Sequence, residues 1–334
     1  MDTRAPASRP LRHPSPDRLT RSRLRILTWH VHGKYLYNLT QVPHDFYLAT
    51  DAERSAHHTG RNAALPWGAN VHEAPVQEIR RLPFDVVLYA SRDAWEHDRF
   101  VYLSETQRQL PTVYLEHDPP QQHPTDARHW AGEPHVLLVH VTPFNALMWD
   151  SGHAATRVIE HGVRPPADAA YTGERASGIV VVDNLAERGR RFGHDVYLDV
   201  AARVPLTLVG IDSERSGGAG EIPHAELPGR MAQHRFLFNP IRYASLDLAV
   251  IEAMMTGVPV AGLATTELVS VIRNGRNGFV DTRLDHLVES MRWLLGDVAL
   301  ARRIGEAGRR TALERFAIER FIDDWMRVLR ELTR

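Results

Sequence analysis

Glu252 is a carboxylate in apolar company. It lies between Ile251 and Ala253, in a stretch where Leu248, Ile251 and Met255 recur at helical spacing. A carboxylate there is costly to bury unless it finds donors. A neighbouring backbone or an arginine would make it structural, and ligand hydroxyls would make it a binding residue. Ser245 is placed to cap this helix, so the backbone N–H groups over Ser245, Leu246, Asp247 and Leu248, with the positive end of the helix dipole, form a place to hold a phosphate. A second group of candidates ends a β-rich run. His117 and Asp118, stopped by Pro119-Pro120, fall at the carboxyl end of a strand, where open α/β sheets bind ligands. The alternative is a His-Asp turn that only satisfies its own loop. Gly33, between His32 and Lys34, follows the first strand directly and lets backbone approach a ligand. His30 and His32 could suggest a metal pair, but further ligands are missing nearby, so loop packing or substrate contact is expected and no metal site is assigned.

The elements that must position these groups alternate strand and helix. Strands are expected at 24–28, 45–49, 84–89, 112–116, 135–142, 178–182, 204–210, 236–238 and 258–261. Strand, turn, helix, strand across 236–261 is a βαβ unit and implies a parallel sheet. Residues 92–110 have helical character, and 50–74 read as a long irregular loop in which Trp67 either stacks on a sugar or closes a small core. Helices are expected at 284–295 and 298–316. Phe321, Trp325, Val328, Leu329 and Leu332 mark a last amphipathic helix over 316–332.

The chain has 334 residues, 43% hydrophobic, enough for two globular domains. Lys+Arg 40 against Asp+Glu 41 gives no support for bulk nucleic-acid binding. There is no Cys, hence neither a disulfide framework nor a thiolate metal site, which agrees with a cytoplasmic protein. No run approaches the ~18 apolar residues of a membrane span. Residues 1–22, rich in Pro, Arg and Ser, read as a disordered basic tail, inert or in peripheral contact with anionic lipid at the inner face of a membrane.

From Ala249-Val-Ile-Glu-Ala-Met-Met-Thr-Gly-Val-Pro-Val260, then Thr266-Glu267, then Asn274-Gly-Arg-Asn-Gly-Phe279, the chain resembles the donor-binding segment of retaining GT-B glycosyltransferases of family 4 type (glycosyl transferases group 1). That segment runs roughly E-G-F-G-L-x-x-x-E-A-M-A-x-G-x-P-V, then P-E, then N-G-x-x-G. The resemblance implies an α/β, GT-B fold of two Rossmann-like domains with an interdomain crevice. The expected parts are an acceptor-side domain (23–165), a linker (166–176), a nucleotide-sugar-binding domain (177–315) and a final helix (316–334) crossing back to the first domain. It places Glu252 on the nucleotide ribose, His117 beside the donor sugar and Gly33 near the donor phosphates.

The departures from the pattern fall at charged positions. Ala244 stands where the family has its first Glu, and Ser245 and Asp247 where it has glycines. Asp247 brings a negative charge to the expected diphosphate position, so it either turns away to meet sugar hydroxyls or changes the donor pose. Asn184 and Phe192 replace the Arg and Lys that clamp the diphosphate. Arg188, Arg190 and Arg191 lie in the intervening loop and could substitute, or form a solvated basic loop. His161 stands at the Asn of the family's V-I-x-N-G-V.

The resemblance thus implies retaining, metal-independent transfer from a nucleotide diphosphate sugar, without cofactor, in polysaccharide or glycolipid assembly. The acceptor would be a sugar, a lipid-linked intermediate or a polysaccharide. Two other readings stay open: a non-catalytic relative that binds a nucleotide sugar or a partner protein, and a GT-B sugar-nucleotide epimerase. A plain Rossmann dehydrogenase is disfavoured, since no G-x-G-x-x-G follows the first strand.

Overall fold

The computed structural model describes residues 23–63 and 65–334. The expected basic tail, 1–22, lies outside them. The first seven strands, β1 (Arg25–Thr28), β2 (Asp45–Thr50), β3 (Val71–Pro75), β4 (Val86–Tyr89), β5 (Thr112–Glu116), β6 (Val136–His140) and β7 (Ala155–Val158), form one sheet in the order β3-β2-β1-β4-β5-β6-β7. The next five, β8 (Arg175–Val181), β9 (Leu206–Val209), β10 (His234–Asn239), β11 (Val260–Leu263) and β12 (Phe279–Asp281), form a second in the order β12-β11-β10-β8-β9. The strand pairings within both sheets are parallel. The central strands β4 and β5 are buried along their whole length, as covering both faces of a parallel sheet requires.

Each order reverses once, between β1 and β4 in the first sheet and between β8 and β10 in the second. Ligands of open α/β sheets bind outside the carboxyl ends of strands at such reversals. The loops there are those after Thr28, Tyr89, Val181 and Asn239, which carry Gly33, the three arginines and the 245–248 turn, while His117 and Asp118 follow β5, one strand further along the first sheet.

The C-terminal helix Ile318–Leu332 adds its apolar face to the first sheet's core. Ile318, Phe321, Trp325, Val328 and Leu329 pack with Ile26, Tyr35, Val113 and Val139. Trp325 Nε1 also donates to the Tyr35 hydroxyl at 3.3 Å. The chain thus crosses between domains twice. At the crossings the Val163 amide donates to the Phe316 carbonyl at 2.9 Å, and Arg315 joins Glu160 of the first domain to Glu267 of the second. Glu267 in turn accepts from the Phe144 amide at 3.0 Å.

Three local expectations are corrected. Residues 92–110 are not one helix: a π-turn at Ala94–Asp98 runs into a single α-turn, Arg99–Val101, and a 3₁₀ turn follows at Gln107–Gln109. Ser104 and Gln107 exchange side-chain and backbone hydrogen bonds, and Gln107 Nε2 donates to the Ile79 and Leu82 carbonyls. These local bonds compete with helical ones. The 50–74 loop ends early in edge strand β3, whose mixed Val-His-Glu-Ala-Pro composition hides it. Finally, the donor-segment helix is Leu248–Thr256. Its N-cap is Asp247, whose carboxylate accepts from the Ala249 amide at 3.0 Å, and not Ser245. Asp and Ser cap comparably well, so the choice fell to the backbone.

Candidate active site

A cavity of ≈ 550 Å³ lies between the carboxyl ends of the two sheets, lined by residues of both. It gathers Gly33, His117, Asp118, Arg188, Ser245, Leu246, Asp247 and Leu248. A second cavity of ≈ 660 Å³ adjoins it, lined by Glu252 and by residues 163–169, with Lys34 and His224 on the walls of both.

Glu252 is 7% exposed, and Lys34 Nζ, reaching from the first domain, stands 3.4 Å from its Oε2. The partner is therefore neither backbone nor arginine but a cation carried by the opposite domain. Burial raises the Glu252 pKa and Lys34 partly opposes that. Asp247 is also raised by burial, with the hydrogen bond from the Ala249 amide and the Lys34 charge opposing. The carboxylate at the helix start is thus committed to capping, and the Ala249 N–H of the first turn is already taken. Leu248 packs against the cores of both domains.

The first-domain wall is built of imidazoles. The His117 ring sits 4.0 Å from His32 and 4.4 Å from Tyr35, centroid to centroid. Its backbone carbonyl accepts from Asn145 Nδ2 at 2.8 Å, while its Nε2 is buried without a hydrogen-bond partner. Burial, reinforced by His32 and His161, holds the His117 pKa well below its ordinary value. Beneath it, Glu116 accepts from the Asp118 amide at 2.8 Å and from His129 Nε2 at 2.9 Å. The Ala131 amide donates to His129 Nδ1, which fixes Nε2 as the protonated nitrogen. Burial pushes the Glu116 carboxyl up to about 8. The loop is thus held by its backbone, leaving the His117 ring edge free. The Asp118 side chain turns from His117 towards Arg191, 3.8 Å away.

The three loop arginines separate. Arg188 alone lines the cavity, its guanidinium 3.4 Å over the Phe192 ring. Arg190 is exposed and paired with Asp195 at 2.6 Å. Arg191 donates to the Tyr243 carbonyl at 3.0 Å and bridges to Asp118 at the rim. The His30–His32 pair does not assemble: His30 Nδ1 meets the Gly60 carbonyl at 2.5 Å, while His32 turns to His117. Among the described residues, no cluster of three or more His, Asp or Glu is arranged to hold a metal ion. Trp67 packs beside His30 and Tyr37, with its Nε1 on the Asn62 carbonyl, so it closes a small core. In the 274–279 turn, Asn274 and Asn277 serve backbone, bonding Val280 and Val271.

The sequence alone gives no role to Lys34 or His161. Lys34 adjoined the glycine already marked, but its reach to Glu252 spans 218 residues and has no local signature. His161 was visible only as an exchange for Asn.

Residues 190–327 match the family model described as Glycosyl transferase-like. No curated protein sequence matches the chain. Among solved structures, sucrose-phosphate synthase from Thermosynechococcus elongatus superposes with a TM-score of 0.68 at 15% identity, over 93% of this chain and 99% of that one. Anabaena HepE, in a complex with UDP-glucose, gives 0.64 at 14% identity over 92% and 100%. AviGT4, a glycosyltransferase involved in avilamycin A biosynthesis, gives 0.61 at 14% over 93% and 98%. The fold is that of GT-B glycosyltransferases. Among the described residues no helix is long and apolar enough to cross a membrane.

Proposed function

We propose that this chain transfers a sugar from a nucleotide diphosphate sugar to an acceptor hydroxyl, with retention at the anomeric carbon and without metal or cofactor. The observation that carries the reading is Glu252: a buried, mid-helix carboxylate beside a crevice at two topological reversals, with one cation from the opposite domain as its partner. Ribose hydroxyls can replace or share that partner. The diphosphate then falls towards the 245–248 backbone and Arg188. Negative charge grows on the diphosphate as the glycosidic bond breaks, and a fixed cation aimed there stabilises it. His117 and the backbone at Gly33 face the sugar. With the acceptor attacking on the side the diphosphate leaves, no protein nucleophile is needed. The HepE complex with UDP-glucose makes uridine the first base to try. We place the protein in the cytoplasm, at the inner membrane face where the acceptor is lipid-linked, acting in polysaccharide or glycolipid assembly.

The test is a thermal-shift panel of UDP, GDP, ADP, TDP and CMP, followed by release of the diphosphate from the matching sugar donor with and without acceptor extracts. A ligand at 100 times its dissociation constant adds about 2.7 kcal/mol, several degrees in midpoint at roughly 2–4 °C per kcal/mol. No shift with any nucleotide would sink the reading. Asp247 favours a second one, since its carboxylate occupies the helix start. On that reading the chain binds a nucleotide sugar and never turns it over, and a shift without diphosphate release would select it. Conversion of the donor with no acceptor present would select an epimerase.

A further inference from the structure

Several polar groups around the 550 Å³ cavity have no hydrogen-bond partner, and they come from both domains. His161 follows the last strand of the first sheet and is 3% exposed, with neither Nδ1 nor Nε2 hydrogen-bonded. His117 Nε2 and Ser245 Oγ are in the same condition. All three residues line one cavity. The two imidazoles lie 6.4 Å apart, inclined by 29°, and Tyr35 makes a T-shaped contact with each. Across the gap from His161 is the Leu246 carbonyl, close enough to oppose the loss of its proton but not in hydrogen-bonding geometry.

Buried polar atoms are almost always satisfied, and each unsatisfied one costs about 1–3 kcal/mol. Four such atoms, on three residues that line one cavity, therefore point to a ligand that completes them. Burial keeps both imidazoles neutral, each with one donor and one acceptor nitrogen. That pattern suits a hydroxyl, which also donates and accepts. It suits a diphosphate poorly, because a diphosphate offers acceptors only and is best met by cations. The cations, Arg188 and Lys34, stand elsewhere on the walls.

We propose that His161, beside His117 and opposite Ser245, hydrogen-bonds hydroxyls of the sugar being transferred and so sets which sugar the site accepts. The inference rests on the donor reading above but separates from it experimentally. Affinities are measured for UDP, UDP-glucose and UDP-galactose, for GDP, GDP-glucose and GDP-mannose, and for ADP and ADP-glucose. The proteins are wild type, His161→Phe, and His161→Asn, which keeps a short polar group. The sugar should tighten binding over the bare diphosphate in one series. His161→Phe should remove about three- to tenfold of that gain, the worth of one or two hydrogen bonds, and leave the bare diphosphate within about twofold. His161→Asn should recover part of the gain, and its melting curve guards against a folding artefact. Equal loss for diphosphate and conjugate, no loss in His161→Phe, or no sugar that tightens binding in wild type would each overturn the inference. Failure of every bare diphosphate to bind would instead overturn the donor reading beneath it.

Discussion

The two walls of the crevice handle their polar groups in opposite ways. On the second-domain wall the charged groups are engaged, though Ser245 Oγ is not: Asp247 caps a helix, Glu252 meets Lys34, and Arg188 lies on Phe192. On the first-domain wall His117 and His161 hold nitrogens with no partner at all. The second wall is a charged frame that can exchange one partner for a ligand, and the imidazoles of the first are neutral groups able to take hydroxyls. The contrast fits a ligand with an anionic, nucleotide-like end and an uncharged, hydroxyl-rich end.

The largest expected effect comes from the joint that holds the walls opposite each other. Arg315 sits between Glu160 and Glu267, and Glu267 is 3% exposed. Arg315→Met leaves a buried carboxylate without its cation, and breaking such a pair costs about 3 kcal/mol or more. The thermal midpoint should fall by several degrees. Adding Glu267→Gln should recover part of the loss, because the amide still accepts from the Phe144 amide. A double-mutant cycle with no coupling would show that the joint is not where the domains are fixed.

Glu252→Ala sharpens the comparison on the second wall. Loss of two charge-assisted hydrogen bonds to ribose should weaken nucleotide binding by more than about tenfold. Calorimetry that finds affinity within about twofold of wild type would remove Glu252 from the ribose.

These two sites differ in how far the sequence disclosed them. Glu252 stood out because a charge in a 3.6-residue apolar pattern conflicts with burial, and both pattern and conflict are local. The Leu248–Thr256 helix, the β10–helix–β11 unit and the final helix with Phe321, Trp325 and Leu329 were legible for the same reason. The first wall was not. His32, His117 and His161 come from loops after three different strands, and only the strand order brings their rings together. Likewise no spacing rule foretells that Lys34 serves Glu252, or that Glu267 belongs to a joint with Arg315. The helix cap moved from Ser245 to Asp247 because both residues cap well and the sequence does not rank them.

A smaller effect tests whether the first domain's histidines are held neutral by burial. His140, at the end of β6, is fully buried with both nitrogens unpartnered, and burial brings its pKa down to about 4. In the unfolded chain a histidine titrates near 6.5. Below that pH the unfolded state takes a proton that the native state refuses until about pH 4. Stability therefore falls with acidification across that window, by up to about 1.4 kcal/mol per pH unit for this one group. His140→Leu removes that share, so in urea unfolding at pH 7, 6 and 5 the variant should gain on wild type as pH drops. Parallel curves would mean that native His140 accepts the proton.

The smallest effect decides what Asp247 does to a bound anion. Asp247→Asn keeps a good N-cap, so the helix start should hold. It removes a negative charge from the place where the proposed diphosphate would approach, and a partly screened like charge is worth about 0.5–1 kcal/mol there. Nucleoside diphosphate affinity should rise by about two- to fivefold, more at low salt than at high. The opposite result, weaker binding of the sugar conjugate with the bare diphosphate unchanged, would put the Asp247 carboxylate on sugar hydroxyls. The uncharged end of the ligand would then be shared by both walls, and the division between a charged frame and a neutral surface would have to be redrawn through the middle of the 245–248 turn.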